Sequence, residues 1–177
     1  MLPVVFLPDT PVLLAGLGPA LARRETLLRG AGLTALTICQ GPPDLVLLDG
    51  MRLAFGAGLD APDSAALAAA ARTRAIPVNI EDVPALCDFH VPALVRRGDL
   101  LLTVSTGGTA PGLSSLLREH LEHLFGDDWS DHITRLAALR ADLRASGAPP
   151  PTIRAALADN LTTVLDNAPG PTPSSVR

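Results

Sequence analysis

Pro11-Val12-Leu13-Leu14-Ala15-Gly16-Leu17-Gly18-Pro19-Ala20-Leu21 is the stretch that decides the fold class. Val12 to Ala15 is a short apolar run between a proline and a glycine, the mark of a buried strand feeding a tight turn. From Pro19 to Arg29, Ala20, Leu21, Leu27 and Leu28 recur near helical spacing, and Gly30 and Gly32 supply a stop. Strand, glycine turn and helix in that order make half of a βαβ unit. Gly16 and Gly18 let the backbone approach a ligand, and the helix N-terminus behind them presents unpaired N–H groups, so the turn suits a pyrophosphate. The pattern is incomplete: Leu21 stands where a GxGxxG motif has its third glycine, and Thr37-Ile38-Cys39-Gln40 carries no acid at the end of the next strand. The residues alone leave a dinucleotide site and a ligand-free glycine turn both open.

Outward from this unit, Leu33 to Ile38 reads as a second strand, Asp44 to Leu48 as a candidate third and Arg52 to Ala57 as another. The alanine-rich Ser64 to Arg74 predicts a helix capped by Asp60 or Asp63. Ile76 to Ile80 and Leu100 to Val104 complete the strands, and their alternation with helices predicts a mostly parallel, Rossmann-like sheet in an α/β domain. After Pro111 the pattern is helical only, over Pro111 to Phe125, Ser130 to Ala145 and Pro151 to Leu165. Ala168 to Arg177 is rich in Pro, Gly and Ser and is expected to be a disordered tail. The expected organisation is therefore a Rossmann-like NAD-binding domain over 1–110, a helical dimerisation region over 111–167 and a tail over 168–177. Three helices with little core of their own are expected to pack on a partner subunit.

The chain has 177 residues, of which 47% are hydrophobic, enough to bury a core and to exclude disorder as the class. Fourteen basic against 18 acidic residues give a formal charge of -4, which offers no electrostatic attraction to nucleic acid. Aromatics are only 3%, so base-stacking platforms are lacking as well. Cys39 and Cys87 form neither a disulfide framework nor a CxxC motif, and a reducing cytoplasm is the expected compartment. Met1 to Pro8 lacks a basic start and holds two prolines, so it reads as a poor signal peptide. No apolar run approaches the ~20 residues of a membrane helix, so no membrane association is expected.

Three further clusters invite chemistry. Ser105-Thr106-Gly107-Gly108-Thr109-Ala110-Pro111-Gly112 joins a strand to a long helix; it fits an anion site, and equally an N-capping loop with Thr109 as cap. Asn79-Ile80-Glu81-Asp82-Val83-Pro84 lies at the carboxyl end of a strand, where open parallel sheets hold ligands. A carboxylate there suits proton transfer, and Asp82 or Glu81 equally suits capping of the short helix that Val83-Pro84 begins. His120 and His123 are one turn apart and His132 follows Asp127-Asp128, but a zinc site needs three or four converging ligands, and His120 shares a face with Leu113, Leu117 and Leu124.

Taken in order, several segments resemble the precorrin-2 dehydrogenase/sirohydrochlorin ferrochelatase family, the module at the start of bifunctional siroheme synthases. Leu2 to Leu7 followed by Pro11 to Gly18 is similar to that family's "LPIFL…PVLVVGGG", and Ala22-Arg23-Arg24 with Leu27-Leu28 to its "ALRKARLL". Pro77 to Asp82 resembles "VNVVD", Cys87 to Ala93 resembles "CDFIFPA", and Ser105 to Pro111 with Leu116 to Glu119 resembles "STGGKAPxLARLLRE". The resemblance implies NAD-dependent oxidation of precorrin-2 to sirohydrochlorin, in some members followed by insertion of Fe2+ or Co2+, by a homodimer with interlocking helical parts. It implies NAD held by Gly16, Leu17, Gly18, Pro19, Ala20 and Asp60, and a tetrapyrrole substrate at Asn79, Ser105, Thr106, Gly107 and Gly108. Asp82 matches the aspartate favoured for proton removal and metal handling. One departure stands out: between Ile38 and Arg52 the chain is shorter than the family pattern, and Phe55 to Asp60 stands in place of "AATDD". Two alternatives follow, a member that binds or chelates a tetrapyrrole without redox chemistry, and a non-catalytic structural or regulatory dimer.

Overall fold

The computed structural model describes residues 4–167. It divides the chain into two compact units, one running through Val91 and the other from Pro92 onward. The sequence places the boundary at 110/111 instead, because it groups every strand into one sheet.

The first unit is a parallel sheet of four strands, β1 (Val12–Gly16), β2 (Leu36–Gln40), β3 (Leu53–Ala57) and β4 (Val78–Ile80), in the order β2-β1-β3-β4. β1 and β3 are buried along their whole length, as central strands covered on both faces must be. On one face Leu13, Ala15, Ala54, Val78 and Ile80 pack with Leu67, Ala68 and Ala71 of α2 (Ala61–Thr73). On the other, Val12, Leu14, Leu53, Phe55 and Ala57 pack with Leu21 and Leu28 of α1 (Gly18–Gly30), and Phe89 and Val91 lie against the same cluster. The alternation of pleated side chains sorts the core into these two layers.

Asp44 to Leu48 is not a strand. Leu45–Leu48 forms a 3-10 turn, because the Asp44 carboxylate accepts from the Val46 N–H at 3.1 Å and starts a helical turn in a run too short to extend. The β2-to-β3 connection, residues 41–52, holds this short turn and no crossover helix. α2 is capped by Asp60, whose carboxylate accepts from the Asp63 N–H at 2.9 Å.

β4 is an edge strand, and the segment after it seals that edge. Asp88 N–H donates to the Val78 carbonyl at 2.8 Å. The Asp88 carboxylate accepts from Val78 N–H at 3.1 Å and pairs with Arg72 of α2 at 2.8 Å. The Cys87 sulfur receives the Ile80 N–H at 3.3 Å. Side chains thus supply the partners that a fifth strand would have given.

The second unit opens with an antiparallel hairpin of β5 (Ala93–Arg97) and β6 (Leu100–Val104), separate from the parallel sheet. This corrects the assignment of Leu100 to Val104 to the parallel sheet. The hairpin turns on Gly98-Asp99, with Gly98 at φ 59°. Then come α3 (Pro111–Leu124), α4 (Trp129–Ala145) and α5 (Pro150–Asn167). Phe125 and Trp129 meet as tilted rings with centroids 4.8 Å apart where α3 meets α4, and Arg97 Nε donates to the Phe125 carbonyl at 2.8 Å, tying the hairpin to that corner. The expected disordered tail lies outside the described residues, as do Met1 to Pro3 of the opening segment.

Candidate functional site

The strand order places a topological switch point at the end of β1: the chain leaves β1 for β2 on one side and reaches β3 on the other, and open α/β sheets hold ligands in the crevice this creates. Gly16, Leu17, Gly18, Pro19 and Ala20 lie there. Gly16 is buried against β3, and a Cβ on it would lie 1.9 Å from the Ala57 carbonyl oxygen. Leu17 N–H donates to that same oxygen at 3.0 Å. Gly18 differs: it has φ 60° and nothing within 4 Å of where a Cβ would stand. One glycine closes the turn onto β3, and the other keeps its outer side open.

Behind the turn, α1 starts with Leu17 as N-cap, no side-chain cap and no acid in its first turn. The positive end of the helix dipole and its free N–H groups are therefore left for an outside anion. These features fit the pyrophosphate of a dinucleotide. Gly58, which follows β3, completes the crevice: a Cβ there would come within 2.5 Å of the Leu17 carbonyl and 3.1 Å of the Ala20 side chain. Sequence reading overlooked Gly58 as a site residue, although its place directly after a buried strand was a usable signal. Asp60, two residues on, spends one carboxylate oxygen on capping α2. At the adenosine side β2 ends in exposed Gln40, level with Gly16, so a neutral amide stands where dinucleotide folds commonly hold an acid.

Asp82 follows β4 on the same carboxyl edge. The Glu81 N–H extends the ladder to the Gly56 carbonyl at 2.8 Å, and the Val83 N–H closes a turn onto the Ile80 carbonyl. Asp82 occupies that turn at φ 60°, exposed, a conformation that Asp and Asn bear better than most residues. Neither Asp82 nor Glu81 caps the next 3-10 turn, whose N-cap is Val83 with no side-chain bond. Among the described residues the Asp82 carboxylate has no hydrogen-bond or ion-pair partner, which leaves both oxygens open to a ligand. Asn79 is buried, and its amide donates to the Phe89 carbonyl at 2.9 Å, so that its nitrogen holds the segment that covers the sheet.

In the second unit, Thr106 organises the loop before α3. Its hydroxyl accepts from Ala110 N–H at 3.2 Å and lies 3.1 Å from the Ser114 hydroxyl. Thr109, expected as the cap, instead donates to the Thr106 carbonyl, and α3, with Ala110 as N-cap, starts with no side-chain cap. Ser105 accepts from Gly107 N–H at 3.2 Å, and Gly107 and Gly108 both take positive φ, with open space beside Gly108. Among the described residues no group of three or more His, Cys, Asp or Glu converges to hold a metal ion. His123 bonds the Glu119 carbonyl at 2.6 Å, and His132 lies between Asp128 and Arg135.

A family model described as "Putative NAD(P)-binding" matches residues 5–93, and one described as "Sirohaem biosynthesis protein central" matches residues 97–124. The chain belongs to the precorrin-2 dehydrogenase/sirohydrochlorin ferrochelatase family. Siroheme synthases of Methylococcus capsulatus and Methylobacillus flagellatus are each 35% identical to it, over 77% of this chain and 32% of their own length. That of Salmonella typhi is 38% identical over 62% of this chain and 23% of its own. The chain thus spans about a third of the length of the curated relatives it matches. The solved structure of SirC, precorrin-2 dehydrogenase, shares the fold, with a TM-score of 0.71 over 94% of this chain and 93% of that one, at 17% identity. Membership of the family accounts for the glycine turn at the switch point and for an NAD(P)-binding first unit. No helix of the described residues is long and apolar enough to cross a membrane.

Proposed function

We propose that this chain oxidises precorrin-2 to sirohydrochlorin with NAD, in the branch of tetrapyrrole biosynthesis that leads to siroheme. The observation that carries the reading is the uncapped N-terminus of α1 behind an unobstructed Gly18, at the switch point of a family-typical sheet. When bound, the nicotinamide accepts the hydride. The chain's own residues then have two tasks. Gly16, Leu17, Gly18, Pro19 and Ala20 hold the pyrophosphate by backbone and helix dipole, with Asp60 at the far lip of the crevice. Asp82 accepts the proton that leaves the tetrapyrrole carbon skeleton as the hydride departs, a task suited to an exposed carboxylate without an internal partner. In this reading Asn79 is a candidate tetrapyrrole contact in the first unit, and Ser105, Thr106, Gly107 and Gly108 are the candidate contacts in the second.

The test is direct. Asp82→Asn, which keeps the φ 60° turn, should lower turnover of precorrin-2 with NAD by about 10²- to 10⁴-fold while leaving NAD binding and thermal midpoint unchanged. Equal turnover in the variant would remove Asp82 from the chemistry, and wild-type protein without any absorbance change would end the dehydrogenase reading.

A second reading is favoured by one observation, the short β2-to-β3 connection, which leaves little chain to enclose an adenosine. Under it the protein binds a tetrapyrrole, or inserts Fe2+ or Co2+ into it with Asp82 handling the metal, without redox chemistry. Tight sirohydrochlorin binding with no NAD signal in calorimetry selects it. In either case the protein is read as a cytoplasmic homodimer. Both cysteines are unpaired, as suits a reducing compartment, and α3 exposes Leu113, Leu116, Leu117 and Leu124.

A further inference from the structure

Arg24 of α1 is a cation with only a loose ion-pair partner. Its side chain is only 14% exposed, yet its nearest acid, Glu81, is 3.9 Å away, and its guanidinium carbon stands 5.7 Å from the centre of the Phe55 ring. Among the described residues it makes no hydrogen bond, although a guanidinium has five donors. Its nitrogens still reach solvent, so the charge is held by one long contact and an aromatic face while its donors stay open to an incoming anion. Its location says where that anion comes from. Helical side chains lean toward the helix N-terminus, and Glu81 sits at the carboxyl end of β4, next to Asp82. The guanidinium therefore lies at the ligand-bearing edge of the sheet. Phe55, held edge-on by Phe89 at 5.4 Å, forms a rigid floor beneath it.

We propose that Arg24 binds an oxyanion of the ligand and that Glu81 is its resident counter-ion, displaced or shared when the ligand arrives. The inference rests on the dehydrogenase reading, which brings two sources of that chemistry to this edge: the carboxylate side chains of the tetrapyrrole and the phosphates of the dinucleotide. Arg suits either, since its planar fork matches carboxylate and phosphate. An ion pair that merely holds the fold and a site that waits for an anion differ in one respect. In the first, removing either partner does the same harm. In the second, removing Glu81 releases the guanidinium and helps binding.

The experiment titrates sirohydrochlorin and NAD separately into full-length wild type, Arg24→Met, Arg24→Lys and Glu81→Gln, with thermal midpoints recorded for each. Arg24→Met should raise the dissociation constant of one of the two ligands about tenfold, and which one identifies the source of the anion. Arg24→Lys should lose less than Arg24→Met. Glu81→Gln should tighten that same ligand about threefold, because a competing carboxylate has gone. If Arg24→Met and Glu81→Gln weaken binding alike, or both leave it untouched, Arg24 is structural and the proposal is overturned. If Arg24→Met fails to fold, Glu81→Gln decides the matter by the sign of its effect. Wild type that binds neither ligand would overturn both this inference and the reading beneath it, whereas normal wild-type binding with unchanged variants overturns this inference alone.

Discussion

Gly16 and Gly18 are two residues apart and serve opposite ends, which substitution can separate. Gly16→Ala drives a methyl into the Ala57 carbonyl at 1.9 Å, backbone against backbone, and should destabilise the first unit by about 2–3 kcal/mol. Gly18→Ala meets no atom and pays only for its φ of 60°, about 1 kcal/mol. Yet the methyl of Gly18→Ala projects into the space a pyrophosphate needs. Urea denaturation should therefore rank Gly16→Ala as the worse change, while NAD titration should show Gly18→Ala losing affinity out of proportion to its small cost in stability. The sequence could locate both glycines but not divide their roles, since which face of a turn lies against a neighbouring strand depends on Ala57 of β3, far along the chain. Asp82 was legible in the same partial way. Its position at a strand's end was readable, but its choice between capping and freedom turned on Val83 taking the N-cap.

Among elements, the legible ones had a period or a cap that agreed with their burial. β1 and α1 announced themselves through an apolar run, a glycine turn and helical spacing. Asp44 to Leu48 misled because four apolar residues carry no period of their own, and one carboxylate bond to Val46 N–H settled them as a 3-10 turn. β5 escaped notice because Arg96-Arg97 masks its apolar face. Gly98-Asp99 between Arg97 and Leu100 was the overlooked hairpin signal. In the sequence Cys87 and Asp88 stand out as part of a family motif, while their physical role is to close the β4 edge. Asp88→Ala strips the Val78 N–H and Arg72 of one shared partner, and should lower stability by about 1–3 kcal/mol in chemical denaturation. Asp60→Ala should cost about 1 kcal/mol through the lost α2 cap, and a drop in NAD affinity beyond that would point to contact with the cofactor as well.

At the scale of the molecule, two compact units share one chain, and the second carries an apolar stripe on α3 that its own core does not cover. Leu116 is 64% exposed, a position apt for the subunit interface of the proposed homodimer. Leu116→Glu together with Leu117→Glu should convert a dimer into a monomer in sedimentation, with NAD binding by the first unit retained. Unchanged sedimentation would move the subunit contact elsewhere. The class of the fold was readable from alternating strands and helices. The division at Val91 was not, because a strand's sheet is fixed by its partner, and β6 found its partner in β5.

The sealed edge of β4 also limits how this protein can grow in a crowded solution. A bare strand margin is a template on which any extended peptide, including another copy, can crystallise its backbone. Here the two amides that would nucleate such growth already donate to a sulfur and a carboxylate. Copies that meet at this margin find no open ladder, so contact between them is directed to side-chain surfaces, where composition and shape decide the mate.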